Sequence, residues 1–163
     1  MTKVWPKTSE LLKLFGNPSD RGWREANIVS VKPLPFKMYV GKLQISRIEM
    51  NKFCAYDLAA ILEEIWATAG KKQKVISEWG MDRFDGSFVI RNIRGSNRIS
   101  NHAFGLAADF NARRNPLGVK PGVTPGSFVN GCPVVKIFDK HNVFWGGRYK
   151  KRPDGMHFEW VRY

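Results

Sequence analysis

The sequence has few of the residues that small domains use as cross-links or metal ligands. Its 163 residues include two cysteines and three histidines. Cys54 and Cys132 show no CxxC spacing, so they predict neither a disulfide framework nor a cysteine-ligated zinc site. Cys54 lies in a helical pattern and is expected to be a buried thiol. The scarcity of histidine makes each of the three informative, together with the carboxylates near it.

Long apolar runs and repeats are missing as well. No stretch approaches the ~18–20 continuous apolar residues of a membrane span. The first segment, "MTKVWPKTSELLKLFG", has no apolar h-region and no small-residue cleavage site, so we expect no signal peptide. A content of 43% hydrophobic and 13% aromatic residues argues against disorder. A chain of 163 residues is long enough for one domain and too short for two, which predicts a single domain over residues 1–163.

Acidic residues are few, and the charge is therefore strongly positive. The chain has 27 Lys and Arg against 14 Asp and Glu, a formal net charge of +13. Such a charge favours a polyanionic partner, which can be nucleic acid, an anionic membrane face or a bacterial cell wall, although solubility alone is the simpler explanation. A nucleic-acid reader should show basic residues interleaved with stacking aromatics or a known motif. Neither is clear, so we expect no nucleic-acid partner.

The order of helix and strand patterns predicts an α+β fold. The clearest helix covers residues 49–70, where apolar residues from Met50 to Ile65 recur every three or four positions and Gly70 supplies the stop. Ser9 is expected to cap a short helix. Because helices and strands do not alternate in βαβ order, we expect a small antiparallel sheet flanked by helices. The further helices are predicted over 10–15 and 134–142, and the extended segments over 26–48, 72–79, 87–93, 106–111 and 156–163.

The segment "SNHAFGLAADF" contains two side chains that suit a metal site. His102 and Asp109 are seven positions apart, which is wrong for one helix face and for one face of a straight strand. Gly105 between them permits a turn, so that His102 in a loop and Asp109 on the following strand can converge. His157, from the last predicted strand, would be the third ligand. Two histidines, a carboxylate and an open fourth position are the ligand set of a catalytic zinc ion.

Together with "WGGRYKKRPDGMHFEW", the segment "SNHAFGLAADF" resembles sequences of the zinc D-alanyl-D-alanine carboxypeptidases and L-alanyl-D-glutamate endopeptidases. These enzymes cut peptidoglycan peptides and belong to the wider group of lysostaphin and the hedgehog signalling domain. The upstream "FVIRNIRGS" matches the arginine segment of the family. The pattern S-x-H-x(6)-D, an aromatic residue followed by glycines, and [DE]-x-x-H are matched at Ser100, His102, Asp109, Trp145, Asp154 and His157.

The resemblance implies the extent of the peptidase domain and the zinc chemistry. Its motifs lie within residues 88–160, so we expect a zinc peptidase domain over about 75–163, with 1–48 as an N-terminal extension packed on the same domain. One zinc ion per chain is expected on His102, Asp109 and His157. Asp154 is expected to act as general base and then as general acid, although a "PDG" aspartate is also an ordinary turn residue.

The resemblance also implies an arginine that stabilises the oxyanion of the reaction. Two candidates follow, Arg91 and Arg94. A strand over 87–93 would place Arg91 on the same face as Val89 and Ile93, where a partly buried guanidinium needs an anionic partner. We therefore expect Arg91 to be catalytic and Arg94 to be solvated or to hold the loop that carries Ser100.

Three further residues have two interpretations each. Ser100 either bonds a ligand or caps its loop, and Trp145 either lines the substrate cleft or belongs to the core. Glu159 shares the strand face of His157, so it either orients that ligand or pairs with a basic side chain. His141, at the end of a predicted helix, is expected to be structural.

The implied function is zinc-dependent cleavage of a peptidoglycan peptide. Asp at position 154, where the carboxypeptidases more often have Glu, favours an endolysin-type L-alanyl-D-glutamate endopeptidase. The alternatives are a D-alanyl-D-alanine carboxypeptidase and a non-catalytic wall-binding module that retains the zinc ligands, against which Asp154 argues. We expect a monomer whose charge attracts it to an anionic wall or outer-membrane surface. As a phage lysin, it would be made in the host bacterial cytoplasm and lyse the cell wall after holin-type release, an antimicrobial activity.

Overall fold

The computed structural model describes residues 4–163, and its longest element is helix α3 (Lys52–Thr68). The buried face of α3 includes Leu58, Ile61 and Leu62, as the three- and four-residue spacing predicted. The predicted start at residue 49 is wrong. The side chain of Asn51 caps the helix by accepting a hydrogen bond from the N–H of Phe53, and the residues before it belong to a strand.

The segments before α3 form two small antiparallel pairs. Strand β1 (Ile28–Val31) pairs with β4 (Ile48–Asn51), and β2 (Met38–Val40) pairs with β3 (Leu43–Ile45). This agrees with the extended segments predicted over 26–48.

Helices also occur before β1, and one of them was not predicted. A 3-10 turn (Thr8–Glu10) leads into helix α1 (Leu11–Phe15), which Gly16 ends. Ser9 does not cap this helix, since the residue at its N-cap is Glu10, whose carboxylate accepts the N–H of Lys7. Helix α2 (Trp23–Asn27) follows, where the sequence predicted a loop and the start of an extended segment.

A four-stranded antiparallel sheet carries two of the three candidate ligands, Asp109 and His157, and its combination with the helices confirms the predicted α+β class. Its strands, in spatial order, are β5 (Phe84–Gly86), β6 (Ala107–Phe110), β8 (His157–Glu159) and β7 (Phe144–Trp145). In the register of β6 and β8, Asp109 lies directly opposite His157. Directly paired residues point to the same face of a sheet, so this register alone brings two candidate ligands together.

The other face of this sheet packs into the core. Phe158 stacks on Phe138 of helix α5 (Pro133–Lys140) with ring centroids 3.9 Å apart. Trp160 is fully buried beside them, and Trp5 and Leu11 belong to the same buried cluster. The N-terminal segment thus shares its core with the sheet.

Two of the predicted strands are wrong. Residues 73–79 form helix α4 (Gln73–Trp79), because Val75, Ile76 and Trp79 are spaced for one helix face and Gly80 ends it with a φ of 80°. Residues 87–93 form no strand beyond a single bridge between Asn92 and Ile99. Their alternating pattern has no full-length partner, and Val89 is 46% exposed.

No helix within residues 4–163 is both long enough and apolar enough to cross a bilayer.

Candidate metal centre and active site

His102 reaches the site from a 3-10 turn (Asn101–Phe104) that precedes β6. The side chain of Ser100 accepts the N–H of His102 at 3.3 Å and so caps the turn, and Gly105 ends it in the left-handed region with a φ of 67°. A side chain at Gly105 would be crowded as well as strained. Its β-carbon would lie 2.8 Å from the backbone nitrogen of Asn51 and 2.6 Å from a methyl carbon of Ile28.

The turn is fixed to strand β4 by hydrogen bonds. The backbone N–H of Asn51 donates to the carbonyl of Gly105, and its side-chain amide donates to the carbonyl of Phe104. Because the same Asn51 caps α3, one buried residue joins the His102 turn to the longest helix. The position of His102 therefore depends on residues far upstream of the zinc motif.

Three potential ligand atoms meet above the sheet. Oδ1 of Asp109 lies 2.9 Å from Nδ1 of His157 and 3.2 Å from Nε2 of His102. The two ring nitrogens are 3.2 Å apart. Ligands about 2.0–2.1 Å from a tetrahedral zinc ion lie about 3.3 Å from each other, so these separations are close to those of three zinc ligands.

The remaining ring nitrogens determine which tautomers are present. Nδ1 of His102 lies 2.6 Å from the carbonyl oxygen of Ser87, which can only accept a hydrogen bond. Nε2 of His157 lies 3.0 Å from a carboxylate oxygen of Glu159. Each histidine therefore donates away from the centre, and each directs its other nitrogen towards Asp109. Outer partners of this kind are characteristic of histidine ligands in metal sites.

Glu159, the outer partner of His157, accepts four hydrogen bonds. One oxygen accepts from His157 and from the side-chain amide of Asn101 at 2.6 Å. The other accepts from the hydroxyls of Tyr149 at 2.5 Å and Tyr163 at 2.6 Å. Burial opposes ionisation of Glu159, but these hydrogen bonds and the charge of His157 outweigh it and lower its pKa.

The site favours a positive charge at its centre. Burial opposes the charged form of His157, but hydrogen bonds to Asp109 and Glu159 outweigh it and raise the pKa of His157 to about 10. For Asp109, burial is likewise outweighed by His102 and His157, which hold the pKa of the carboxyl below its usual range. Together with two inward-facing nitrogens, this donor set fits a divalent metal such as zinc.

Asp154 lies beside this cluster, in the loop before β8. It lines the same cavity, and one of its carboxylate oxygens is buried without a hydrogen-bond partner among the described residues. Burial raises the pKa of Asp154, and the charge of His157 opposes that shift. An unpaired carboxylate whose pKa is raised suits a general base.

The "WGG" segment supports the Asp154 loop from below. The N–H of Asp154 donates to the carbonyl of Gly146, and the indole N–H of Trp145 donates to the carbonyl of Gly155 at 2.8 Å. A β-carbon at Gly146 would lie 2.7 Å from the backbone oxygen of Asp154. Trp145 is buried in the core and does not line the cavity. The structure therefore agrees with Trp145 as a core residue and not with Trp145 as a residue of the substrate cleft.

The cavity above the centre has a volume of about 370 Å³ and a basic rim. Arg91 and Arg94 both line it, but both are exposed. The expectation that Arg91 is partly buried is wrong, because residues 87–93 form an irregular segment in place of a strand. The structure therefore gives no reason to prefer one of the two arginines.

Several cavity residues were not identified from the sequence. Tyr149 and Tyr163 contribute through Glu159, and Arg98 and Arg152 extend the basic rim. Glu159, in contrast, was identified from the sequence, because its two-residue spacing from His157 placed both on one strand face. His141 lies outside the cavity at the end of α5, 3.0 Å from Glu64, which agrees with a structural role.

Comparison with known proteins gives a family match over the segment that contains this centre. Residues 94–160 match a family model described as D-alanyl-D-alanine carboxypeptidase. No curated protein and no solved structure gives a significant match. The matched segment contains His102, Asp109, Asp154 and His157. Residues 94–160 of the chain are thus similar to the D-alanyl-D-alanine carboxypeptidase family, which confirms the resemblance seen in the motifs.

Proposed function

We propose that the protein hydrolyses an amide bond in the peptide stem of bacterial peptidoglycan as a zinc-dependent L-alanyl-D-glutamate endopeptidase. The family match supports a zinc peptidase that acts on peptidoglycan. The observation that carries the proposal is the convergence of three ligand atoms within 3.2 Å of one another, next to the unpaired carboxylate of Asp154.

The side chains divide the work of amide hydrolysis among them. His102, Asp109 and His157 would hold the zinc ion, which supplies Lewis acidity and lowers the pKa of water from ~15.7 towards ~7. Asp154 accepts a proton from the attacking water and returns it to the leaving amine. An arginine of the rim, Arg91 or Arg94, donates hydrogen bonds to the oxygen that becomes negatively charged.

The proposal also specifies which peptidoglycan bond is cut. Asp at position 154 favours the endopeptidase, since Asp is typical of the endopeptidase-type members that the motifs resemble. The description of the matched family and the exposed cavity arginines favour the alternative, a D-alanyl-D-alanine carboxypeptidase, which must bind a terminal carboxylate.

Mass spectrometry of muropeptides distinguishes the two activities. Purified peptidoglycan is incubated with the zinc-loaded protein and with an Asp154→Asn variant as the matched control. New peptides that begin at D-Glu, with free L-Ala left on the glycan, are expected for the endopeptidase. Loss of a single terminal D-Ala would identify the carboxypeptidase, and no difference from the control would contradict both.

We further propose that the protein is a lysin of the endolysin type. Its charge of +13 supports attraction to anionic wall polymers and membrane surfaces. Expression together with a holin should then lyse bacteria, whereas the Asp154→Asn variant should not. Lysis that is equally fast with that variant would contradict this role.

A further inference from the structure

The rim of the cavity contains two arginines that the proposed mechanism does not use. Arg98 and Arg152 line the cavity that contains His157 and Asp154, and both are exposed. They come from separate segments of the chain. The charge of Arg98 acts on Tyr163, whereas Arg152 lies beside Gly118, where an added β-carbon would be 4.0 Å from its Cγ.

Neither arginine has a carboxylate partner among residues 4–163. Other arginines of the chain do, for example Arg24 with Glu49 at 2.8 Å and Arg148 with Asp139 at 2.6 Å. The carboxylates of Asp109 and Glu159 are committed to histidines, tyrosines and Asn101. The forked donors of both rim arginines are therefore available to a ligand.

An arginine fork matches a carboxylate by two parallel hydrogen bonds, and this geometry distinguishes a carboxylate from a neutral amide. Two such forks on one rim suit a peptide with two acidic groups. Building on the proposed function, we propose that Arg98 and Arg152 each bind a carboxylate of the stem peptide. The substrate class is then stem peptides whose carboxyl groups are free, in preference to amidated stems.

Synthetic stem peptides test this preference. One peptide has both carboxylates free, and two others have one or the other replaced by a carboxamide. Because exposed ion pairs are weak, we expect each carboxamide to lower kcat/KM by about 3- to 10-fold, mainly through KM. Arg98→Gln and Arg152→Gln should each lower kcat/KM for the acidic peptide by a similar factor and remove the response to one carboxamide. Arg47→Gln, an exposed position in the loop between β3 and β4, is the matched control and should change neither value.

The binding of the same peptides to the zinc-loaded Asp154→Asn variant provides a readout that does not need turnover. A 3- to 10-fold weaker binding of the amidated peptides, about the same factor as in kcat/KM, supports the inference. Equal affinity for acidic and amidated peptides, or a preference that survives both arginine substitutions, would overturn it. If the wild-type protein cleaves no stem peptide, the proposed activity fails, and the affinity ratio still decides whether the rim recognises carboxylates.

Discussion

Glu159 should control how tightly the protein binds zinc, although it is not itself one of the three candidate ligands. Its carboxylate accepts the Nε2–H of His157 at 3.0 Å and so directs Nδ1 towards Asp109. Two substitutions, Glu159→Gln and Glu159→Met, would remove different parts of the interaction between Glu159 and His157.

The two substitutions should differ in magnitude. A glutamine can turn its amide oxygen to His157 and Asn101 and its NH2 group to the hydroxyls of Tyr149 and Tyr163, which accept as well as donate. The hydrogen bonds then survive, and only the negative charge is lost. A methionine also leaves the buried ring N–H without an acceptor, which permits the other tautomer. Since outer-shell changes cost 10- to 100-fold in metal affinity, we expect Kd for zinc to rise about 10-fold with Gln and about 100-fold with Met, or ~1.4 and ~2.7 kcal/mol.

Competition with a chromophoric zinc chelator at fixed pH measures these Kd values without any need for activity. Glu64→Gln is the matched control, because Glu64 also pairs with a histidine, His141 at 3.0 Å, but lies outside the cavity. Circular dichroism checks that each variant is folded. Zinc affinities that are equal in wild type, Glu159→Gln and Glu159→Met would refute the argument, as would an equal loss in Glu64→Gln.

Three further predictions concern the metal, the base and the turn. Elemental analysis should find one zinc per chain in the wild type and none in His102→Ala. Chelation should lower the melting temperature, since a ligand at 1,000 times its Kd stabilises the folded state by about 4 kcal/mol. An unchanged melting temperature after chelation, with activity intact, would contradict this. Asp154→Asn should retain zinc and lose nearly all turnover, because an amide cannot accept the proton; lost zinc would instead make Asp154 a ligand. Gly105→Ala should lower the free energy of unfolding in urea by about 2–4 kcal/mol, because alanine is strained at positive φ and crowded by its neighbours. A loss under 1 kcal/mol, about the cost expected of an ordinary substitution, would contradict this and show that the turn adapts.

The candidate ligands could be predicted because their positions depend on local rules. His102 and Asp109 required only a turn at Gly105, and His157 required only that the last strand lie beside the strand of Asp109. Side-chain alternation then placed Glu159 on the same face as His157. The turn and the alternation use the freedom of a glycine and the period of a strand, both of which can be read from a single sequence. The pairing of the last strand with the strand of Asp109 is a distant contact, and the resemblance of the "PDGMHFEW" segment indicated it.

The wrong predictions came from segments whose structure depends on distant partners. Residues 72–79 are a short apolar run, for which periodicity alone does not separate strand from helix. Residues 87–93 alternate well, but an alternating segment becomes a strand only where another strand pairs with it, and Gly86 adopts a φ of 142° at a register shift. The supposed burial of Arg91 depended on that strand and was lost with it.

The segment that matches the family contains every candidate ligand, yet it does not by itself orient them. Within residues 94–160, the register of β6 and β8 places Asp109 beside His157, and Glu159 fixes the ring of His157. The ring of His102 is fixed by the carbonyl of Ser87, and the Ser87 hydroxyl donates in turn to the backbone of β4. Of the two histidines, one is therefore oriented by the sheet itself and the other by a contact to the region before residue 94. The contacts of Ser87 thus give the region before residue 94 a direct role in orienting a residue of the candidate metal centre.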